Sequence, residues 1–581
     1  MTLSQELESR LGAALALVLG EPVACTVTAA ADLRFGDYQS NAAMVLAKRF
    51  GKNPRALAQE ITSHLDLTGL ATSDIAGPGF INFRILPAAY GKRVEKLLRD
   101  PHLGVPATGA GKTVVVDFSA PNVAKPMHVG HIRSTIIGDS LSRIARFLGY
   151  RVIADNHIGD WGTQFGMIVY GWNHFRNDAA ISKDPIAELV RIYREVNLRI
   201  KDSPEILDAC KNELVKLQAG DEDNLAIWRT CVALSKTGLE KIYRKLGVNF
   251  DHWLGESFYN DRLHGLVHEF LENKIARESN GALCIFSDGN TPLEDDPFKV
   301  HKEDGWTDNP AIIRKADGGF LYATTDLATI EYRIDTWEAD EIWYVVGVPQ
   351  QLHFRQLFDA AKRWGKVADF KHVAFGSILG DDRKLMKTRS GESVGLIEVL
   401  DEAVVRAAKV ISEKNPDLQG DEAAKIAEIV GLGSVKFAEL SQNRLTDYVF
   451  SWDRMLALQG DTAPYLQYSH VRIRSIFRKL DGPFDALAAE IHLNQDEEVH
   501  LARLLTRFGE VLPAVLDDFR PNLLANYVLE LARAFHSFFE ACPVLKSDEP
   551  LRSSRLALCE LTATTLGKGL ELLGIEVPER M

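Results

Sequence analysis

Cysteine is scarce in this sequence, and no two cysteines lie close together. The 581 residues contain only Cys25, Cys210, Cys231, Cys284, Cys542 and Cys559. Zinc knuckles and small disulfide frameworks require cysteines at short, regular spacings. The scattered pattern argues against both kinds of site. In a chain of this size it favours reduced thiols and a cytoplasmic location.

Long apolar runs are missing as well. No stretch approaches the roughly 18 to 20 consecutive apolar residues that a membrane-spanning helix needs. The first residues, 1–8, are acidic and helix-like, unlike the basic start of a signal peptide. We therefore expect no membrane partner.

Positive charge is in deficit, since the formal net charge is −13. Nucleic-acid-binding proteins usually present a basic stripe, so this balance argues weakly against such a partner. It does not exclude one, because basic patches on a negative body can restrict RNA to a single docking face. With 46% hydrophobic and 25% charged residues, the composition is that of a globular chain long enough for three or four domains.

The stretch 113–154 has the pattern of a strand, a polar loop, a helix and a second strand. Residues 113–116 form a β-branched run that suits a buried strand. From Ile132 to Leu148, apolar residues recur at spacings of three and four, which predicts a helix with one apolar face. Residues 152–154 predict the next buried strand. This order is typical of a parallel α/β sheet.

The polar loop 117–131 is the best candidate for a phosphate site. It follows the carboxyl end of a strand and precedes the amino end of a helix, where free N–H groups and the helix dipole favour an anion. His128 and His131 could instead be metal ligands or chance surface residues, but zinc needs further ligands and none is spaced nearby. Asn122 and Lys125 beside the pair favour nucleotide binding.

This loop resembles the His-Ile-Gly-His motif of class I aminoacyl-tRNA synthetases, and the longer string 117–131 is similar to the arginyl-tRNA synthetase version. The polar, Gly-rich segment 155–166 also looks like sequence of that family. So do 35–43 and 77–83 near the beginning and 577–581 at the end. The resemblance covers essentially the whole chain.

The resemblance implies a multidomain α/β protein. A Rossmann-type catalytic domain with a parallel sheet is expected between an α+β amino-terminal domain and an all-α carboxyl-terminal domain. The expected divisions are 1–108 for a tRNA-elbow-contacting domain, 109–400 for the catalytic domain with a connective insertion at about 170–290, 401–457 for a helical connecting region, and 458–581 for an anticodon-binding domain. The Pro/Gly/Ala-rich linker 106–112 supports the first boundary.

The resemblance also implies a pocket for the arginine substrate. Tyr322 and Asp326 match positions of its side-chain pocket, and Asp117 is a further candidate for the guanidinium, a planar fork that a carboxylate binds well. Taken alone, Asp326 could simply cap the amino end of a helix. The residues expected to bind the rest of the arginine are Asn122, Gln350 and His128.

The ATP site is expected to share this crevice. By resemblance, His128 and His131 would stabilise the phosphates in the transition state, Gly130 would leave room for the adenine or ribose, and Gly347 and His353 would lie near the adenosine. Mg²⁺ is expected to accompany ATP as part of the substrate. No tightly bound cofactor and no structural zinc or other metal site are expected.

The basic loop 381–391 resembles a degenerate second class I motif, although alone it would be interpreted as a charged turn. Counted from its start, the motif places its two lysines at Lys384 and Lys387. A register anchored on the end of the loop places Thr388 at the second lysine, and we prefer this register. Lys125 is then the substitute catalytic cation, while both loop lysines remain candidates for binding triphosphate.

Contacts with tRNA are expected near both ends of the chain, where aromatic, amide and basic side chains could bind unpaired bases. The candidates are Phe35, Tyr38, Asn41, Tyr465, Tyr468 and Arg472. The alternative is that the aromatic side chains belong to the core and that the arginine is merely solvated.

The implied reaction charges tRNA(Arg) with L-arginine through arginyl-adenylate, with ATP as the third substrate and a monomer as the expected state. One rival is a nucleotidyltransferase or ligase that shares the histidine loop and never touches tRNA, against which the two end domains argue. The other is a non-catalytic RNA-binding relative. Intact His128, His131 and Asp326 argue against that rival.

Overall fold

The computed structural model describes residues 1–123, 125–380, 383–384, 394–457 and 460–581, apart from the side chain of Thr163. These residues form two compact units. The first comprises Met1–Thr108, Ile411–Phe437 and Leu456–Met581, and the second comprises Gly109–Val410 and Ala438–Met455. The two end regions that the sequence suggests as separate domains thus share one unit, and the stretch 401–457 is divided between the two.

The amino-terminal part of the first unit is α+β. Its elements are α1 Leu3–Leu19, β1 Thr28–Ala29, β2 Tyr38–Ser40, α2 Ala42–Ala47, α3 Pro54–Ser63, β3 Ala71–Ala76, β4 Phe80–Ile85 and α4 Pro87–Leu98. Helix α1 starts at a capping box in which Thr2 and Gln5 satisfy each other's backbone N–H groups, and it ends at left-handed Gly20. The strands form one antiparallel sheet in the order β1-β2-β4-β3.

The middle of the chain alternates helices and strands. Its elements are β5 Thr113–Asp117, α5 Gly130–Phe147, β6 Arg151–Asp155, α6 Thr163–Phe175, α7 Asp178–Lys183, α8 Pro185–Asp202, α9 Glu205–Gln218, α10 Glu222–Leu246, α11 Asn260–Glu272, β7 Ala276–Ser279, β8 Ala282–Ile285, β9 Lys299–Lys302, β10 Gly305–Asp308, β11 Ala311–Arg314, α12 Tyr322–Asp335, β12 Glu341–Tyr344, α13 Gln351–Arg363, β13 Asp369–His372, β14 Ile378–Leu379, α14 Leu396–Lys414, α15 Gly420–Leu440, β15 Tyr448–Val449 and α16 Trp452–Met455.

The end of the chain is helical. Its elements are α17 Ala463–Phe477, α18 Asp496–Asp517, α19 Pro521–Ala541 and α20 Leu551–Leu572. Within the first unit, α18 packs on the amino-terminal part. Gly509 permits this packing, because a Cβ there would lie 2.4 Å from the carbonyl oxygen of Gly104. The Tyr38 hydroxyl donates to Glu510 on the same helix at 3.1 Å.

The predicted parallel sheet is confirmed and has the strand order β13-β12-β5-β6. Central strand β5 is buried on both sides, as a β-branched strand covered by helices should be. The register aligns His372, Tyr344, Asp117 and Asp155 in one row across the carboxyl edge. Gly138 lets helix α5 approach the chain after β5, because a Cβ there would lie 2.2 Å from the Phe118 ring.

Helices α7 to α10 occupy much of the stretch 170–290, which the sequence predicts to be helical, but strands β7 and β8 lie in this stretch as well. They belong to a short antiparallel sheet with the order β11-β8-β7, and a second short sheet pairs β9 with β10. The Asp-Gly-Gly sequence within 312–322 is typical of a hairpin. The structure instead has only a turn with a single bridge between Arg314 and Phe320, because β11 pairs with β8. The apolar run at 372–376 predicts a strand, but the strand lies earlier in the chain, since β13 ends at His372.

Among the described residues, no helix combines the length and the apolar character that crossing a membrane requires.

Candidate active site

A buried arginine ties helix α12 to the carboxyl edge of the sheet. The Arg333 Nη2 donates to Asp117 Oδ2 and to Asp155 Oδ2, each at 2.7 Å. Its guanidinium also lies over the Tyr344 ring, 5.3 Å from the centroid. Burial raises the pKa of the Asp117 carboxyl, although Arg333 opposes this rise. Asp117 is a candidate for binding the substrate guanidinium, but one of its oxygens already accepts a hydrogen bond from the internal residue Arg333.

Asp326 lies on the same face of α12, two turns before Arg333. Its Oδ2 is 2.6 Å from His353 Nε2 on α13. The exposed ring of Tyr322 contacts the same imidazole edge-on, with 4.7 Å between centroids. The alternative role of Asp326 as a helix cap is wrong, because the residue in that position is Leu321. Tyr322, Asp326 and His353 thus form one cluster, which we call the acidic pocket.

The two loop histidines are both held through Nδ1. The backbone N–H of Gly130 donates to His128 Nδ1 at 3.0 Å, and the backbone N–H of His128 donates to His131 Nδ1 at 3.1 Å. The bond from Gly130 assigns the proton of the neutral His128 ring to Nε2. The His131 Nδ1 also lies 3.3 Å from the His128 carbonyl oxygen, and the shorter contact with the His128 N–H assigns the His131 proton to Nε2 as well. Burial lowers the pKa of His128, and burial together with His128 lowers the pKa of His131 to about 4. Both imidazoles are neutral N–H donors at pH 7.

Gly130 leaves the space that the His128 ring occupies. A Cβ at Gly130 would lie 2.8 Å from the His128 Cε1 atom, so a larger residue would displace the ring. Gly130 is also the first residue of α5, and the chain before it pairs with the segment at Gly395 through a bridge to His128. The space predicted for adenine or ribose beside this glycine is partly filled by the imidazole.

The remaining residues proposed for substrate binding are spread along the loops at the sheet edge. Asn122 is exposed, and its Oδ1 accepts a bond from Gln164 Nε2 at 3.3 Å. The Lys125 ammonium lies 5.1 Å from the centroid of the Tyr193 ring. Gly347 follows β12, and exposed Gln350 precedes α13 with its N–H bonded to the Gly347 carbonyl at 3.1 Å.

The basic loop is described only in part. Lys384 is exposed, and its carbonyl oxygen accepts a bond from the Gly380 N–H at 2.8 Å. Lys387 and Thr388 lie outside the described residues, as do the other residues on which the choice of register depends. The register therefore stays a prediction.

Two further titratable groups face the acidic pocket. His157 donates from Nδ1 to the Leu254 carbonyl at 2.9 Å. Burial and the charge of Arg333 disfavour its charged form, but Asp117, Asp326 and Asp155 together outweigh these effects and raise its pKa. Burial raises the pKa of Glu256, and nearby Asp326 adds to the rise. His157 lies in the segment 155–166, so the sequence pattern could have identified it as a candidate. Glu256 lies in the insertion, where no motif indicates a functional residue.

In the first unit, the candidates for tRNA contact divide into surface and core residues. Phe35 is 50% exposed, and Asn41 is exposed. Tyr38 is only 1% exposed. The prediction that its ring stacks on a base is therefore wrong, and the alternative that it belongs to the core is confirmed. In α17, Tyr468 is 47% exposed and Tyr465 is half-buried. The Arg472 guanidinium lies over the Phe539 ring, 4.8 Å from its centroid.

The chain matches three family models in the expected order. The model for the arginyl tRNA synthetase N-terminal domain matches residues 3–85. The model for the catalytic domain of class I (R) tRNA synthetases matches 93–452, and the model for the DALR anticodon-binding domain matches 466–581. The parallel sheet, the histidine loop and the acidic pocket all lie within the stretch that matches the class I synthetase catalytic domain.

Full-length relatives narrow the family. Arginine–tRNA ligase of Laribacter hongkongensis is 44% identical over 588 residues, covering 100% of both chains, and that of Cellvibrio japonicus is 45% identical over 558 residues, covering 94% of each. The arginyl-tRNA synthetase structures of Plasmodium falciparum and Thermus thermophilus have TM-scores of 0.83 at 28% and 26% identity, and both cover 100% of this chain and at least 99% of the other. This chain belongs to the arginyl-tRNA synthetase family.

Proposed function

We propose that this chain joins L-arginine to tRNA(Arg) in two steps that share the crevice at the carboxyl edge of the sheet. The arginine carboxylate first attacks the α-phosphate of MgATP, giving arginyl-adenylate and pyrophosphate. A hydroxyl of the 3′-terminal ribose of the tRNA then takes the arginyl group and releases AMP. The observation that carries this proposal is the acidic pocket, which offers a carboxylate and an aromatic ring to a guanidinium in the same domain as a loop suited to phosphate.

The first step needs positioning and charge neutralisation more than it needs a strong base. His128 and His131, neutral and protonated on Nε2, would donate to phosphate oxygens as negative charge builds up on them. Neutral donors suit this role because they stabilise the developing charge without binding the free pyrophosphate too tightly. Lys125, Lys384 and Lys387 are the proposed cations that, with Mg²⁺, neutralise the triphosphate.

The acidic pocket supplies a mechanism for amino-acid specificity. Asp326 would accept the guanidinium fork, with Tyr322 against its face and Asp117 as a further acceptor. Lysine carries one ammonium and cannot form the fork, while neutral citrulline would leave a buried carboxylate without a counterion. At the other end of the substrate, Asn122 and Gln350 would bind the α-amino and carboxylate groups, close to His128.

Binding of tRNA is proposed for the first unit. The exposed side chains of Phe35, Asn41 and Tyr468 can reach an unpaired base without rearrangement of the core, and Tyr465 and Arg472 lie beside Tyr468 on α17.

All six cysteines are free in the structure, which supports the proposed cytoplasmic location. We further propose that the protein acts as a monomer.

Amino-acid-dependent exchange of pyrophosphate into ATP tests this function across the twenty amino acids, with and without tRNA. We expect exchange with arginine, and we expect it to require tRNA(Arg), as is typical of the family. Exchange with arginine alone would keep the ligase and remove the tRNA requirement. Exchange with a different small substrate would favour the nucleotidyltransferase, and no exchange under any condition would favour the non-catalytic relative.

A further inference from the structure

His353 has no assigned partner in the reaction other than the adenosine that the family resemblance suggests. In the structure its Nε2 lies 2.6 Å from Asp326 Oδ2, and both side chains are mostly buried, with 12% and 20% of their surface exposed. The pair joins neighbouring helices α12 and α13 near the ends where these helices approach the crevice. His353 therefore contacts the residue proposed to recognise the guanidinium.

The bond leaves Asp326 able to bind a guanidinium. A carboxylate offers about four acceptor positions, two on each oxygen, and a bidentate fork uses one on each. His353 uses one position on Oδ2, so Oδ1 and a second position on Oδ2 stay available. A hydrogen bond at one oxygen restricts rotation of the carboxylate about its terminal bond. The fork-binding geometry is then present before the substrate arrives, which reduces the ordering cost of binding.

The surroundings of His353 favour this role. The Tyr322 ring contacts the imidazole edge-on from α12, so one histidine touches two of the three residues proposed for the substrate side chain. His372 on strand β13 of the sheet is a titratable group that interacts electrostatically with His353. His372 itself is bonded through Nε2 to the Val346 carbonyl at 3.0 Å. The carboxylate that His353 contacts is Asp326.

We propose that His353 is a positioning residue for arginine recognition, which orients the Asp326 carboxylate through its Nε2–H and so determines affinity for the guanidinium. This inference rests on the proposed function, because it concerns the arginine pocket of the same reaction. Removing a hydrogen bond that orients a metal ligand typically costs about 10- to 100-fold in affinity or activity, and we expect a loss of the same order for a carboxylate that binds a guanidinium. The loss should fall on arginine and leave ATP untouched.

A matched pair of amide variants separates positioning from packing. The Gln side chain in His353→Gln can place an N–H donor where Nε2 lies, whereas the Asn side chain in His353→Asn is one methylene shorter and cannot reach Asp326. Aminoacylation of tRNA(Arg) would be measured with arginine and ATP varied separately, together with thermal unfolding of each variant. We expect His353→Asn to raise the KM for arginine about 10- to 100-fold, with the KM for ATP within about twofold of wild type. His353→Gln should recover most of the arginine affinity.

Each other outcome has a definite meaning. A raised KM for ATP with an unchanged KM for arginine would overturn the proposal and assign His353 to the adenosine. Equal KM increases for arginine in both variants, with equal losses of thermal stability, would make the histidine merely structural. An arginine KM near the wild-type value in His353→Asn would remove His353 from recognition. If the wild-type protein charges no tRNA with arginine, the proposed function itself fails, and this inference fails with it.

Discussion

At the scale of single residues, the hydrogen-bond partners of the two loop histidines determine what their rings can do. Backbone N–H groups occupy both Nδ1 atoms, so each neutral ring presents Nε2–H. The lowered pKa of each ring keeps it neutral at pH 7. A neutral donor that is already oriented stabilises developing charge without a reorganisation cost.

Replacing His131 by alanine should therefore slow adenylate formation while the protein stays folded. The loss of one preorganised donor to a developing charge is expected to lower kcat about 10²- to 10³-fold. Because the pKa of His131 is about 4, the ring stays neutral from pH 6 to pH 8. The ratio of wild-type to variant rates should thus be flat over that range. Pyrophosphate exchange and thermal unfolding measure both expectations, and an unchanged rate would mean that the loop has been misread.

At the scale of elements, helix α12 is positioned by the buried contacts of Arg333. One guanidinium nitrogen bonds to carboxylates at the ends of β5 and β6, and Asp326 lies two turns away on the same helix face. Burying three charges contributes little net stability, because desolvation offsets the attraction. Removing the charge of Arg333 should nevertheless destabilise the fold, since two buried carboxylates would then lack their counterion.

Arg333→Met should consequently destabilise the second unit by about 3–5 kcal/mol, the usual cost of breaking a buried ion pair. The matched control is Arg229→Met in the same unit, whose partner Glu222 lies 3.9 Å away and, like Arg229, is exposed. That change should cost less than about 1 kcal/mol. Urea unfolding of both variants measures the difference. Equal losses would show that the Arg333 contacts do not anchor α12.

The sequence predicts elements well where the determinants are local. The strand 113–117 and the helix after the histidine loop follow from β-branched and three-four apolar patterns, and both are present. The Asp-Gly-Gly pattern at 317–319 predicts a hairpin that the structure does not form, because β11 pairs with β8. That partner strand lies some thirty residues earlier, and no pattern near 317–319 indicates it. For the same reason Tyr38 could not be placed, since its hydroxyl partner Glu510 lies 472 residues away.

The candidate site was predictable to the same degree. The histidines, Tyr322 and Asp326 carry recognisable motifs, and the structure places Tyr322 and Asp326 in one pocket with His353. The pairing of His353 with Asp326 and the approach of Glu256 arise from tertiary packing, and no spacing along the chain encodes them. Residues that share a motif can therefore be recognised from the sequence, whereas residues brought together only by the fold cannot.

At the scale of the whole molecule, the first unit combines both ends of the chain, and its surface and core aromatic residues should respond differently to mutation. Phe35→Ala should raise the KM for tRNA about tenfold, because base stacking on an aromatic ring contributes about 1–3 kcal/mol. Tyr38→Phe should leave that KM unchanged and cost about 1–3 kcal/mol of stability by removing the donor to Glu510. Aminoacylation with varied tRNA and unfolding of both variants would reveal a reversed pattern if the assignment is wrong.

Recognition of the arginine guanidinium by the Asp326 carboxylate can be measured through the kinetics of Asp326→Asn with arginine and with citrulline. The amide keeps the shape of the side chain and removes its charge. We predict that kcat/KM for arginine falls at least about 100-fold, the scale of a lost buried charge pair, and that the preference for arginine over citrulline shrinks. Unchanged kinetics with arginine would contradict the account and remove Asp326 from the site.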